Sequence, residues 1–156
     1  MATLRARPPD VVSQVMRRVH SRDTSPEVSL RRALWKRGLR YRLYSRRLPG
    51  QPDIIFPSAK LAVFVDGDFW HGNQWRLRRL SSLEDQFRDS ASAGYWIPKI
   101  RRNMERDARA NEELAGMSWL VIRIWESELR ENVDACADRV ADAVARKRGH
   151  GATHLS

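Results

Sequence analysis

Asp53 follows a Leu-Pro-Gly-Gln-Pro turn and opens a short apolar run, and Asp66-Gly67-Asp68 closes the next one. If the two runs are neighbouring strands, Asp53 and Asp66 come within reach of one cation. Hard cations such as Mg²⁺ take carboxylate and backbone oxygens. Such an ion polarises a phosphate and helps to activate water. Carboxylates at strand ends also cap turns, and the spacing alone leaves both roles open. A second group is Asp68-Phe69-Trp70-His71. Adjacent aromatics in an extended segment cannot both face one core, so one or both are free to stack on bases or wedge between base steps. His71 has the chemistry of a general base. The plainer reading keeps Trp70 in the core and His71 as an ordinary exposed histidine. A third group runs from Lys99 to Asp107. Helical spacing puts Lys99, Asn103, Arg106 and Asp107 on overlapping faces, where a basic and amide surface suits phosphates and Asp107 could orient a histidine. An ordinary solvated helix face has the same pattern.

The rest of the chain must position these residues. Its 156 residues fit one domain, and 42% hydrophobic residues with six tryptophans support a packed core. The formal net charge is +10; of the 29 basic residues all but Lys36, Lys60, Lys99 and Lys147 are arginine. That balance makes nucleic acid the leading partner. One cysteine, Cys136, excludes an internal disulfide and a multi-cysteine zinc cage. No apolar run approaches the roughly 20 residues of a membrane span, and no export signal is evident, so a cytoplasmic, nucleoid-associated protein without a membrane partner is expected.

Residues 1–9 read as a flexible basic arm, 10–146 as one domain and 147–156 as a flexible tail. Within the domain the spacing predicts a helix over 10–20 and another capped by Ser25, with Pro26 at its first position, running to Arg37 and stopped by Gly38. Strands follow at 39–45, 53–56 and 61–65, the last continuously apolar and therefore central. Residues 72–95 are irregular or weakly helical. Pro98 is expected to open a helix to Gly116 with Ile100, Met104, Ala108 and Ala115 along one side. A strand at 119–125 and a helix at 128–146 complete an α/β domain, a small mixed sheet flanked by helices.

Taken in order, Met-Arg at 16–17, Arg-Asp-Thr-Ser-Pro-Glu at 22–27, Leu-Pro-Gly-Gln-Pro-Asp at 48–53, Val-Phe-Val-Asp-Gly-Asp-Phe-Trp-His at 63–71, Lys-Ile-Arg-Arg-Asn-Met-Glu-Arg-Asp at 99–107 and Trp-Leu-Val-Ile-Arg-Ile-Trp-Glu at 119–126 resemble the very short patch repair (Vsr) endonucleases. The resemblance spans about residues 13–130. It implies a PD-(D/E)XK-like nuclease fold, use of one or two Mg²⁺, and nicking of one strand of double-stranded DNA at a T:G mismatch left by deaminated 5-methylcytosine. By the same resemblance Asp53, the Val65 carbonyl and Asp66 place the metal, and His71 is the catalytic histidine partnered by Asp107. Glu27 lies near the active centre. Phe69, Trp70 and Trp96 intercalate, Met16 wedges into the minor groove beside Arg17, and Lys99, Asn103 and Arg106 contact DNA. Mismatch-repair or defence-system proteins are the implied partners.

The chain departs from that family in two places. The lysine of the PD-(D/E)XK pattern has no counterpart at Phe64 or Phe69. The cysteines and histidine of the family's structural zinc are replaced by Asp68, Asn73, Trp75 and Ser127, so no structural zinc is expected. A nickase of phage defence or restriction without mismatch preference shares the fold. A non-catalytic DNA-binding module is the alternative of another class.

Overall fold

The computed structural model describes residues 23–152; the helix expected over 10–20, and with it Met16 and Arg17, lies outside them. Helix α1, Ser25–Lys36, carries Pro26 in its first turn and is capped by Thr24 rather than Ser25. The first intrahelical bond runs from the Val28 N–H to the Thr24 carbonyl, which makes Ser25 the first helical residue. Gly38 ends it at φ +80°, a left-handed turn that lets the Leu39 N–H return to the Leu34 carbonyl.

Strands β1 (Arg42–Leu43), β2 (Ile54–Phe56), β3 (Leu61–Asp66) and β4 (Leu120–Trp125) form one sheet in that order. The first three are antiparallel neighbours, and β4 joins β3 in parallel, with Phe64 opposite Arg123 and Val65 opposite Ile124. β1 is far shorter than the expected 39–45 segment: residues 39–41 lie outside it, and Tyr44 takes φ +50° and ends it. Between β3 and β4 lie α2 (Gln74–Leu77), α3 (Leu83–Gln86) and α4 (Ala93–Gly116). After β4 come α5 (Glu126–Glu131) and α6 (Val133–Ala152).

Alternation along the strands sorts the core into two layers. Leu61 and Val63 of β3 pack with Leu30 and Leu34 of α1 and Val140 and Val144 of α6. Ala62 and Phe64 face the other way and meet Ile55 and Leu114 of α4. β3 is covered on both sides, as its unbroken apolar run requires. Phe69, Trp70, Trp75, Leu83, Phe87, Trp96 and Ile100 build a separate cluster beside the end of β3.

Four further expectations are corrected. α4 begins at Ala93, and Pro98 lies inside it. A proline there costs one backbone bond, but the preceding turn is held by Trp96, with Ala93, Tyr95 and Ile97 packed beside it. The buried stripe of α4 is Trp96, Ile100, Ala110 and Leu114; Met104, Ala108 and Ala115 are exposed, because they lie off that stripe, whose middle turns Asn103 and Asp107 to a cleft. The last helix is two helices. Asn132 leaves helical geometry at φ −156°, and its Oδ1 accepts the Ala135 N–H at 3.0 Å, capping α6. That helix runs on to Ala152, so 147–152 of the expected tail are helical. Among the described residues no helix is long and apolar enough to cross a membrane.

Candidate active site

Asp53 stands where the chain enters β2, and its position is set by the sheet. Its N–H donates to the Val63 carbonyl at 3.1 Å, and its Oδ2 accepts the Val65 N–H at 2.8 Å. Burial pushes its carboxyl up to about 7, reinforced by the charges of Glu27 and Asp66 and opposed by the Val65 hydrogen bond. Glu27, in the first turn of α1, is 3% exposed. Its Oε1 has no hydrogen-bond partner, and the nearest cation, Arg31, stands 4.0 Å away. Glu27, Asp53, Val65, His71 and Glu126 line a small cavity of about 90 Å³. The buried Glu27 oxygen lacks a partner, and the buried Asp53 carboxyl faces the same cavity. Their hard oxygen donors fit a divalent cation.

The opposite side of β3 presents Asp66 towards α4. His71 Nδ1 is hydrogen-bonded to Asp107 Oδ2 and lies 3.8 Å from Asp66 Oδ1. Burial works against a charged His71, but the Asp107 hydrogen bond and the two carboxylate charges outweigh it, so its pKa lies above the ordinary histidine value. Arg123 of β4 donates to both oxygens of Asp66 at 3.0 Å and to Asn111 Oδ1 at 2.8 Å. Burial raises the Asp66 carboxyl, and His71 and Arg123 oppose the rise. Asp66, His71 and Asp107 bring ligand atoms within 4.8 Å of one another. Arg123 already supplies a counter-charge there, so the Glu27–Asp53 cavity offers the better seat for a hard cation.

His71 also borders a second, larger cleft of about 580 Å³, with Gly50, Trp70, Lys99, Asn103, Arg106 and Asp107 around it. One face of α4 thus carries Lys99, Asn103, Arg106 and Asp107 to one place. Asn103 Nδ2 donates to the Trp70 carbonyl at 3.1 Å. Lys99 Nζ lies 5.3–5.8 Å from the ring centres of Trp70, Tyr95 and Trp96. Phe69, Trp70 and Trp96 pack edge to face at 5.2–5.5 Å between centroids, and Trp70 is only 6% exposed. The aromatics meet, but they face one another.

Arg123 and Glu126 are absent from the sequence-based expectations. For Arg123 a signal existed: a lone arginine inside Leu-Val-Ile-Arg-Ile-Trp must find a buried partner. Glu126, 7% exposed, begins a helix directly after β4, and nothing in its neighbours distinguishes it from a capping residue.

The model of the family described as DNA mismatch endonuclease Vsr matches residues 8–77. The type II nicking enzyme V.NmeDIP of Neisseria meningitidis serogroup C is 38% identical over 141 residues, 90% of this chain and 90% of the relative. The type II nicking enzyme V.XorIIP of Xanthomonas oryzae pv. oryzae is 40% identical over 117 residues, 75% of this chain and 80% of the relative. The DNA mismatch endonuclease Vsr of Escherichia coli is 33% identical over 118 residues, 76% of this chain and 70% of the relative.

Proposed function

The chain belongs to the family of the DNA mismatch endonuclease Vsr and is a DNA endonuclease, and from that premise we propose that it nicks one strand of duplex DNA at a T:G mismatch in a Mg²⁺-dependent reaction. The observation that carries the reading is the place of His71. It borders both the carboxylate cavity and the basic cleft, where a metal-bound phosphate and a DNA strand would meet.

In the proposed mechanism Asp53 and the Val65 carbonyl would hold the cation, with Glu27 beside them. Asp66, engaged by Arg123, contributes charge. The chemistry supplied by bound Mg²⁺ is polarisation of the scissile phosphate and relief of charge on the leaving 3′-oxygen. His71 takes the proton of the attacking water on Nε2, while Nδ1–H donates to Asp107, which fixes the ring and stabilises the imidazolium that forms. Lys99 and Arg106 neutralise backbone phosphates flanking the cut. Phe69, Trp70 and Trp96 open the stack at a weakly paired step, which costs less than opening a normal pair. Met16 and Arg17 are assigned DNA contacts on the family resemblance. No structural zinc is required, since one cysteine cannot build a thiolate site.

A second reading keeps the same chemistry without the mismatch requirement. It is favoured by the relatives named type II nicking enzymes, a name that states nicking and says nothing of a mismatch. Conversion of a supercoiled plasmid carrying a single T:G mismatch to open circles tests the shared chemistry. Nicking is expected with Mg²⁺, and none with EDTA or in His71→Ala. Nicking that survives EDTA, or persists in His71→Ala, contradicts it.

A further inference from the structure

His71 sits on a loop, residues 67–73, that leaves the end of β3 and must come back beside α4. Three features hold it there. The His71 N–H donates to the Gly67 carbonyl at 3.2 Å. Gly72 takes the left-handed φ of +76°, and Met104 of α4 packs where a Cβ would stand, so the loop passes close to α4. The third is a set of bonds on one side chain. Asp68 Oδ1 accepts from Asn73 Nδ2 at 2.8 Å and from Ser127 Oγ at 2.7 Å. Asp68 Oδ2 accepts the Ser127 N–H at 3.0 Å. The Asp68 carbonyl takes the N–H groups of Asn73 at 2.8 Å and Gln74 at 3.1 Å.

Asp68 therefore does two things at once. Through Asn73 and Gln74 it closes the loop on itself, and through Ser127 it fastens the loop to the start of α5, 59 residues on. The bonds are to a carboxylate, which makes them stronger than neutral ones. Asn73 is 7% exposed, so its amide has little water to fall back on when Asp68 is lost. None of the three side chains lines either cavity around His71. Their reach to the chemistry is through the loop.

We infer that Asp68, with Asn73 and Ser127, forms a hydrogen-bonded clasp that positions His71 against Asp107; the inference rests on the reading of His71 as the proton acceptor. Asp68 is a positioning residue and touches no substrate. A displacement of about 1 Å at a reacting group is enough to cost on the order of 10²-fold in rate.

The test uses the full-length protein in four variants: Asp68→Ala, Asn73→Ala, Ser127→Ala and Ser127→Thr. Nicking of a T:G duplex gives kcat and KM. Proton NMR of the protein without DNA follows the His71 Nδ1 proton, which lies far downfield while it is shared with Asp107. Thermal melting is recorded alongside. In Asp68→Ala, kcat is expected to fall on the order of 10²-fold with KM nearly unchanged, because the cations that bind DNA lie on α4. The downfield proton is expected to shift upfield or broaden away. Ser127→Ala and Asn73→Ala lose less each, and Ser127→Thr, which keeps the hydroxyl, retains the wild-type rate. A folded Asp68→Ala with unchanged kcat and an unchanged downfield proton overturns the clasp. If Asp68→Ala does not fold, wild-type kcat and proton shift in both Ser127→Ala and Asn73→Ala overturn it equally. If the wild type nicks no DNA, the functional reading fails, and the downfield proton alone still decides whether the clasp holds His71.

Discussion

Arg123 uses a single nitrogen, Nη1, to bind both carboxylate oxygens of Asp66 at 3.0 Å. The same nitrogen lies 3.5 Å from Asp107 Oδ1, and the guanidinium rests 4.0 Å from the centre of the Phe64 ring. One cation therefore serves two carboxylates that both approach His71. Removing it leaves two negative groups in a site where Asp66 is 4% exposed. Arg123→Met is expected to destabilise the protein by about 3–5 kcal/mol, the range for breaking a buried pair. Adding Asp66→Asn should return a large part of that loss. Urea unfolding of the two single variants and the double variant measures the coupling; strictly additive effects would contradict a shared ion pair.

Asp53 makes the metal-free protein sensitive to pH. Its carboxyl ionises near 3.8 when unperturbed, and burial pushes it up to about 7 in the folded chain. A folded value above the unfolded one means that this group's contribution is full below pH 4 and is lost as pH rises through 7. Asp53→Asn keeps an acceptor for the Val65 N–H but carries no charge. Its melting temperature without metal is expected to exceed wild type at pH 8 and to match it near pH 4, while nicking is abolished. A variant less stable than wild type at pH 8 would show that burial of this carboxylate is not a cost.

The same proton must leave when a cation binds. Below pH 7 the apparent affinity for Mn²⁺ or Mg²⁺ should fall about tenfold per pH unit, one proton being displaced, and flatten above it. Calorimetric titration between pH 5.5 and 8.5 checks this. Affinity independent of pH over that range would move the cation away from Asp53.

Trp70 contributes to packing in the DNA-free protein. At 6% exposure inside the aromatic cluster, Trp70→Ala is expected to cost about 3–5 kcal/mol of stability. Phe69 is only half buried, so Phe69→Ala should lose less stability and more of the preference for T:G over T:A. Melting curves and nicking ratios for both variants decide between them. The reverse ranking would make Trp70 the wedge and Phe69 the packing residue.

How far the sequence could be read depended on whether a residue's role was local. β3 was readable because five consecutive apolar residues, Leu61 to Val65, need cover on both faces. His71 and Asp107 were readable as a pair only through the family resemblance, since they are 36 residues apart and meet across the loop and α4. The start of α4 was not, because Pro98 resembles a first-turn proline and only the packing of Trp96 and its neighbours shows that the helix is already under way. The length of β1 was not, because a single left-handed residue, Tyr44, ends it. The Asp68 clasp was invisible for a different reason. The family resemblance places Asp68, Asn73 and Ser127 together at the positions of the zinc ligands, but that they hydrogen-bond to one another lies in a distance between β3 and α5.

Strand-specific, Mg²⁺-dependent nicking at T:G, with His71 as the proton acceptor, is open to direct measurement. The direct measurement is single-turnover cleavage of a duplex labelled differently on each strand, carrying T:G or T:A at one position, with methylated and unmethylated flanks. One labelled strand is expected to be cut beside the T of T:G in Mg²⁺, with the other strand intact, a much slower cut of T:A, and a rate that rises with pH as His71 loses its proton. Equal rates on T:G and T:A, or cutting of both strands, would contradict it.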